Sequence, residues 1–148
     1  MKIETKYFGE LQFDESSVLH FPDGLFGFEE EKEFLLLPFS DDADYLLCLQ
    51  SAKTPHLAFT LINPFMLWAE YKPQLGAEDL RKLGLACSED GCYYALCRVE
   101  KPVSESMVNL RCPVVINDIT RQARQIILEE YEMRCKLSSL GKKADGEC

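Results

Sequence analysis

The chain of 148 residues has the length of a single domain and can bury a substantial core. Its 16 Lys and Arg against 25 Asp and Glu give a formal charge of −9, which argues against binding nucleic acid or an anionic membrane through a basic face. A hydrophobic content of 47% excludes general disorder.

The N-terminus alternates at once: Ile3, Thr5 and Tyr7 against Lys2, Glu4 and Lys6, then Gly9, then Leu11 and Phe13 against Glu10, Gln12 and Asp14. Two strands about a tight turn follow from that pattern. No apolar run precedes them and no stretch approaches a membrane span, so a cytoplasmic protein is expected. Val18–Phe21 reads as a third short strand, closed by the turn Pro22-Asp23-Gly24, in which Pro sets φ and Gly accepts a positive φ.

The segment from His20 to Glu30 (HFPDGLFGFEE) is the most unusual in the chain. Connecting segments run over the surface and are usually polar, whereas here the turn residues alternate with phenylalanines. Each ring taken singly fits core plugging. The segment as a whole reads as a protein-binding surface, since exposed aromatics mark partner sites. The acids Glu29-Glu30-Glu31 and Glu33 read as a solvated face rather than as paired catalytic carboxylates.

Phe34–Phe39 is a continuous apolar run, hence a buried strand. Asp41-Asp42 is expected to turn the chain into a strand over Tyr45–Leu49. Leu57–Ile62 is another buried strand, ended by Asn63-Pro64, with a continuation over Phe65–Tyr71 past that break. Leu75–Leu85 carries the one helical pattern, with Glu78 and Asp79 in its first turn, where the helix dipole favours acids, and Gly84 as its stop. Cys92–Glu100 alternates as a strand. Val108–Leu110, Pro113–Ile116 and Arg121–Leu128 follow as three more, the last with Ala123 and Ile127 on one face. Asn63 and Asn117 are placed to bond nearby backbone and fix turns. Beyond Tyr131 the β pattern fades, and Ser138–Cys148 reads as a mobile polar tail after a single domain over residues 1–137. About nine short strands and one short helix predict a mostly β fold, a small antiparallel barrel or closed sandwich.

Reactive chemistry is sparse. There is no phosphate-binding glycine loop, no dinucleotide fingerprint and no nucleophile elbow. Seven cysteines (48, 87, 92, 97, 112, 135 and 148) form no CxxC, and only His20 and His56 could complete a metal site. Most of them read as small buried hydrophobes in a reducing compartment. No cofactor, no metal and no enzymatic activity are expected.

Taken in order, several segments resemble the FliW family of flagellar assembly factors. They are Thr5–Glu10, His20–Glu29, Leu57–Phe59, Ile62–Phe65, Glu78–Leu80, Leu83–Leu85, Val108–Asn117 and Arg121–Leu128, spanning about residues 3–134. The resemblance implies a β-barrel-like, non-enzymatic protein. It implies a partner in newly made flagellin, through flagellin's C-terminal helical segment. It also implies a second partner, the translational regulator CsrA, where the host has one, with the two competing. The expected partner-binding residues are Phe21, Pro22, Leu25, Phe26, Phe28, Glu29, Asn63 and Phe65, on a monomer that touches neither nucleic acid nor membrane. Phe21, Leu25, Phe26 and Phe65 are expected to line an apolar groove, with Glu29, Glu30 and Glu31 at its rim. One departure stands out. The family pattern Tyr-x-x-Arg-His-Pro keeps Tyr131 and Arg134 here, but Cys135-Lys136 replace His-Pro. Two other readings remain: a flagellin chaperone without the CsrA link, and a small-ligand barrel with a pocket lined by Tyr93, Cys97 and Trp68.

Overall fold

The computed structural model describes residues 1–39 and 46–137. The expected turn at Asp41-Asp42 and the tail Ser138–Cys148 lie outside those residues. Strands β1 (Lys2–Thr5) and β2 (Gly9–Gln12) form the N-terminal hairpin, with Ile3 opposite Leu11. Thr5 closes its turn: the hydroxyl donates to Gly9 O at 2.7 Å and accepts from Phe8 N at 2.8 Å. Gly9 sits at φ +71°, as the alternation about this residue requires.

The main sheet is antiparallel throughout. It runs β3 (Leu19–His20), β4 (Glu33–Pro38), β5 (Leu46–Ser51), β6 (Ala58–Ile62), β7 (Cys92–Arg98) and β8 (Met107–Ile116) in neighbour order. Strand β8 is long enough to carry two more partners: β9 (Ala123–Gln125) along Val114–Ile116, and β10 (Cys135–Lys136) along Met107–Val108. His20 then bridges Gln122 in parallel, and His20 N donates to Arg121 O at 2.8 Å. That contact brings β3 against the start of β9, so the sheet nearly closes into a barrel.

The unbroken apolar runs are explained by burial on both faces of the sheet. Phe34, Leu49, Leu61, Val114 and Ile116 meet Leu19, Phe21 and Leu25 in one cluster. Their chain neighbours point the other way. Leu35 packs with Ile3 and Val18 beneath the hairpin, whereas Ile62 and Val115 pack with Tyr71, Leu83 and Tyr93. Burying these last residues is the work of the helices. Helix α1 (Pro64–Leu67) precedes α2 (Ala77–Leu83), which ends on Gly84 at φ +68° with its N–H on Arg81 O. Asn117 ties that end to the sheet: its Nδ2 donates to Leu83 O at 2.8 Å, and its Oδ1 accepts from Ile119 N at 3.0 Å.

The structure corrects four expectations. Phe65–Tyr71 does not continue β6, because Asn63 and Pro64 start a helix instead. Pro113 does not divide the strands around it, and Met107–Ile116 is one strand of ten residues. The strand expected over Arg121–Leu128 stops at Gln125, so Ala123 is buried while Ile127 is 58% exposed, and the two do not share a face. The chain beyond Tyr131 supplies a further strand, β10. Among the described residues, no helix is long and apolar enough to cross a membrane.

Candidate functional site

Residues 21–32 link β3 to β4 and divide sharply between inside and outside. Phe21 is fully buried, edge-on to Phe34 at 5.2 Å between ring centroids, and Leu25 is buried beside it. Phe26 and Phe28 are 50% and 40% exposed. The backbone makes the division. Gly24 N donates to Phe21 O at 2.9 Å, and Leu25 and Phe28 exchange both of their backbone bonds. The chain therefore reverses over Phe26-Gly27, with Gly27 at φ +86°. Gly24, at φ +66°, has no room for a side chain: a Cβ there would sit 2.6 Å from Glu29 Cα and from two backbone oxygens.

Three side chains tie this loop to the barrel. Gln125 is buried on β9, accepts from Phe26 N at 2.9 Å and donates to Cys112 O at 3.1 Å. Glu31 accepts from Ser51 Oγ and Thr54 Oγ1, both at 2.7 Å. Arg124 Nη2 lies 3.0 Å from Asp23 Oδ2. Phe28 leans on Phe59 of β6, edge to face at 5.1 Å. The outcome is an apolar knuckle of two rings on a rigid base, next to the exposed acids Glu29 and Glu30. Ordering cost on binding is low for such a loop, because its backbone is already fixed.

A second aromatic surface surrounds α1. Asn63 Oδ1 accepts from Phe65 N at 3.0 Å and caps the helix, with Pro64 at its first position. Phe65, 38% exposed, packs on Tyr71 at 5.7 Å and on Tyr93 at 6.0 Å. Both phenols turn inward: Tyr71 donates to Leu110 O at 2.7 Å and Tyr93 to Ser88 O at 2.6 Å. Burial pushes the Tyr93 hydroxyl up to about 12 and that of Tyr71 higher still. Phe65, Tyr71 and Tyr93 line a cleft of about 280 Å³ with Lys72 and Glu89.

The expected groove of Phe21, Leu25, Phe26 and Phe65 is therefore not assembled. Phe21 and Leu25 are core, since a turn that reverses the chain over a barrel end must fill that end. They support the knuckle and cannot touch a partner. Phe65 belongs to the helix-side cluster. Glu31 is held by two hydroxyls and is no free rim charge. Pro22, Phe26, Phe28 and Glu29 stay exposed, as does Phe65. Sequence reasoning missed Gln125 and Phe59. The signal for Gln125 was its place two residues after Ala123 on the buried face of a strand, where a polar group needs buried partners.

Comparison with known proteins settles what kind of chain this is. Residues 2–138 match the family model described as FliW protein. The chain belongs to the FliW family. Three FliW relatives, each described as flagellar assembly factor FliW, illustrate the likeness. The one from Shouchella clausii is 33% identical over 144 residues, covering 96% of this chain and 98% of the relative. The one from Geobacillus sp. (strain WCH70) is 38% identical over 136 residues, covering 92% and 93%. The one from Magnetococcus marinus is 36% identical over 135 residues, covering 90% and 83%. A crystal structure of the flagellar assembly factor FliW superposes with a TM-score of 0.86 at 34% identity, covering 93% of this chain and 96% of that one.

The FliW likeness gives the replaced His-Pro a context. Cys135 and Lys136 are β10: the thiol is buried against the cluster around Tyr71, and Lys136 Nζ reaches Glu105 at 3.3 Å. The other thiols do not converge. Cys48, Cys112 and Cys135 are buried, and Cys87, Cys92 and Cys97 half-buried, with no disulfide among them. Burial pushes the Cys48 thiol up to about 11, and those of Cys92, Cys97 and Cys112 upward as well. Among the described residues, no three His, Cys, Asp or Glu side chains could share a metal ion.

Proposed function

We propose that this FliW-family protein is a cytoplasmic, non-enzymatic flagellar assembly factor that binds flagellin as a chaperone and antagonises the translational regulator CsrA. The observation that carries the reading is the knuckle of Phe26 and Phe28. Two exposed rings on a loop pinned by Gln125, Glu31 and Arg124 are a preorganised apolar anchor of the kind that dominates protein interfaces. Glu29 and Glu30 beside it suit a basic partner such as an RNA-binding regulator, and complementary charge speeds encounter. Flagellin's C-terminal segment, an amphipathic helix that stays unburied until the filament assembles, would lay its apolar face on the knuckle. Asn63 acts as the cap that presents Phe65, a second exposed ring for the same class of partner.

The test is binding of purified flagellin to the protein carrying Phe26→Ser and Phe28→Ser together. Affinity should fall about tenfold or more while the circular-dichroism spectrum is kept. Flagellin lacking its C-terminal helix should not bind. Full affinity in the folded double variant would refute the surface. A pull-down with CsrA separates the regulator from a pure chaperone. The small-ligand barrel loses its support, since Tyr93 lines the helix-side cleft, Cys97 lines a separate groove, and the barrel interior is filled by Phe21, Phe34 and Leu49.

A further inference from the structure

The sheet is not equally knit along its length. Strand β6 pairs with β5 over all five residues, Ala58–Ile62, but with β7 only through Leu61 and Ile62. On the β7 side, no strand residue pairs with Ala58, Phe59 or Thr60 among the described residues. Strand β7 is likewise single-sided over Cys97 and Arg98, which pair only with Val108 and Met107 of β8. The β7–β8 register slips at the same level: Leu110–Pro113 of β8 stand opposite the single residue Ala95 of β7, and such a bulge bends the strand that carries it, here β8. The split opens a groove of about 760 Å³, with Phe59 and Thr60 on one bank, Cys97 and Arg98 on the other, and Leu96 and Met107 among its apolar lining.

Its charge is opposite to that of the chain. Arg98, Lys101, Arg134 and Lys136 stand around the groove against Glu100 and Glu105, in a protein of net charge −9. Two of the cations are engaged, Arg98 with Glu100 at 2.9 Å and Lys136 with Glu105. Lys101 and Arg134 form no ion pair among the described residues, and both are exposed. Unpaired strand edges are templates for another strand, and a cationic rim selects what that strand carries.

We propose that this groove takes an extended, acidic segment of a protein partner as an added strand between β6 and β7. Backbone bonds to the free edge give the affinity. Alternate apolar side chains face Phe59, Leu96 and Met107, and the intervening carboxylates reach Lys101 and Arg134. The groove adjoins the Phe26–Phe28 knuckle through Phe59, but the inference does not rest on the flagellin reading.

The probe is a synthetic capped peptide of about eight residues, alternating Val or Thr with Glu, the length of a common strand. Its binding is followed by fluorescence anisotropy against the same peptide with Lys for Glu, and against a helix-forming peptide of equal negative charge. The acidic extended peptide should bind about tenfold or more tightly than either control. Lys101→Glu with Arg134→Glu should weaken it by a similar factor, and Lys101→Gln with Arg134→Gln does the same duty if the reversal disturbs folding. Hydrogen exchange should slow at the amides of Ala58–Thr60 and Cys97–Arg98. No saturable binding, equal binding of the lysine or the helical peptide, indifference to both double variants, or protection elsewhere overturns the proposal.

Discussion

Two segments of this chain combine turn formers with aromatics, residues 21–31 and 63–71, and they solve the same problem differently. In the second, the rings hold one another. Trp68, Tyr71 and Tyr131 stack in a chain at 4.6–6.2 Å, Phe65 and Tyr93 extend it, and inward phenols bond to backbone. In the first, one ring, Phe21, is sunk with Leu25 and two are raised, and the raised pair rests on polar fixings from other strands. A ring network is a stability element that happens to reach the surface. A loop pinned by single hydrogen bonds keeps its rings free for a partner, at the expense of robustness. Substitutions should separate the two.

The largest loss is expected at Tyr71, which is 2% exposed. Tyr71→Ala empties a site shared by three other rings and should cost about 3–5 kcal/mol in chemical denaturation. Tyr71→Phe keeps the volume but strips Leu110 O of its donor, for about 1 kcal/mol. Equal losses from the two would mean that the hydrogen bond, not the packing, holds the cluster.

Gly24→Ala comes next. The positive φ and the 2.6 Å approach to Glu29 and Phe28 backbone leave no accommodation except reshaping the turn. A loss of about 2–3 kcal/mol is expected, with the Phe26 amide newly open to exchange. An unchanged melting curve would show that the turn is looser than its geometry.

These two sites also show how far the sequence could be read. The hairpin at Gly9, helix α2 with its Gly84 stop, and the runs around Leu35 and Leu61 follow from period and punctuation, because each is set by neighbours in the chain. Helix α1 was missed although Asn63 followed by Pro64 is a cap with proline at the first position, because four residues leave no periodic stripe and the apolar run after them reads equally as strand. Strand β10 has only two residues and exists because β8 offers it an edge. What no local pattern carries is which phenylalanine of the 21–28 segment points inward. Phe21 and Phe26 lie in the same kind of sequence, and only Gln125, 99 residues away from Phe26, and Phe34 on the next strand decide between them.

Gln125→Ala tests that remote fixing. It leaves Phe26 N and Cys112 O without their partner and should cost about 1–2 kcal/mol. Loop exchange should rise while the Tyr71 cluster is undisturbed. If exchange rises equally around Tyr71, the two segments are one cooperative unit.

Alkaline pH should act mainly on the buried acids of the core. Cys48 and Tyr93 are raised to about 11 and 12 from 9.0 and 10.0, both by burial, and Tyr71 is raised further. A raised folded value means that the unfolded chain releases its proton first. Stability is therefore fully present below about pH 9 and declines as pH climbs towards 12, first through Cys48 and then through the tyrosines. A melting temperature that is flat or rising across that window would contradict these burials. With Cys48→Ala the decline should still begin near pH 9, through Cys92, Cys97 and Cys112, but should be shallower.

The smallest stability effects are expected on the knuckle itself, and they differ between its two rings. Phe26 is half exposed, and its backbone rather than its ring meets the body of the protein, so Phe26→Ser should shift stability by about 0.5 kcal/mol or less. Phe28 rests edge-on against Phe59, which in turn lies 6.3 Å from buried Phe34, so its removal uncovers part of the barrel mouth. Phe28→Ser should cost about 1 kcal/mol, mostly the lost ring pair. For flagellin binding the order should be less unequal, because an anchor acts through the area it presents and Phe26 presents more. Parallel denaturation and binding curves on the two single variants decide it. If Phe28→Ser is the weaker binder only in proportion to its lost stability, its ring is structure; if Phe26→Ser binds as tightly as the unaltered protein, the outermost ring of the loop is not an anchor, and the contrast between a self-supporting ring network and a loop held ready for a partner fails at its most exposed point.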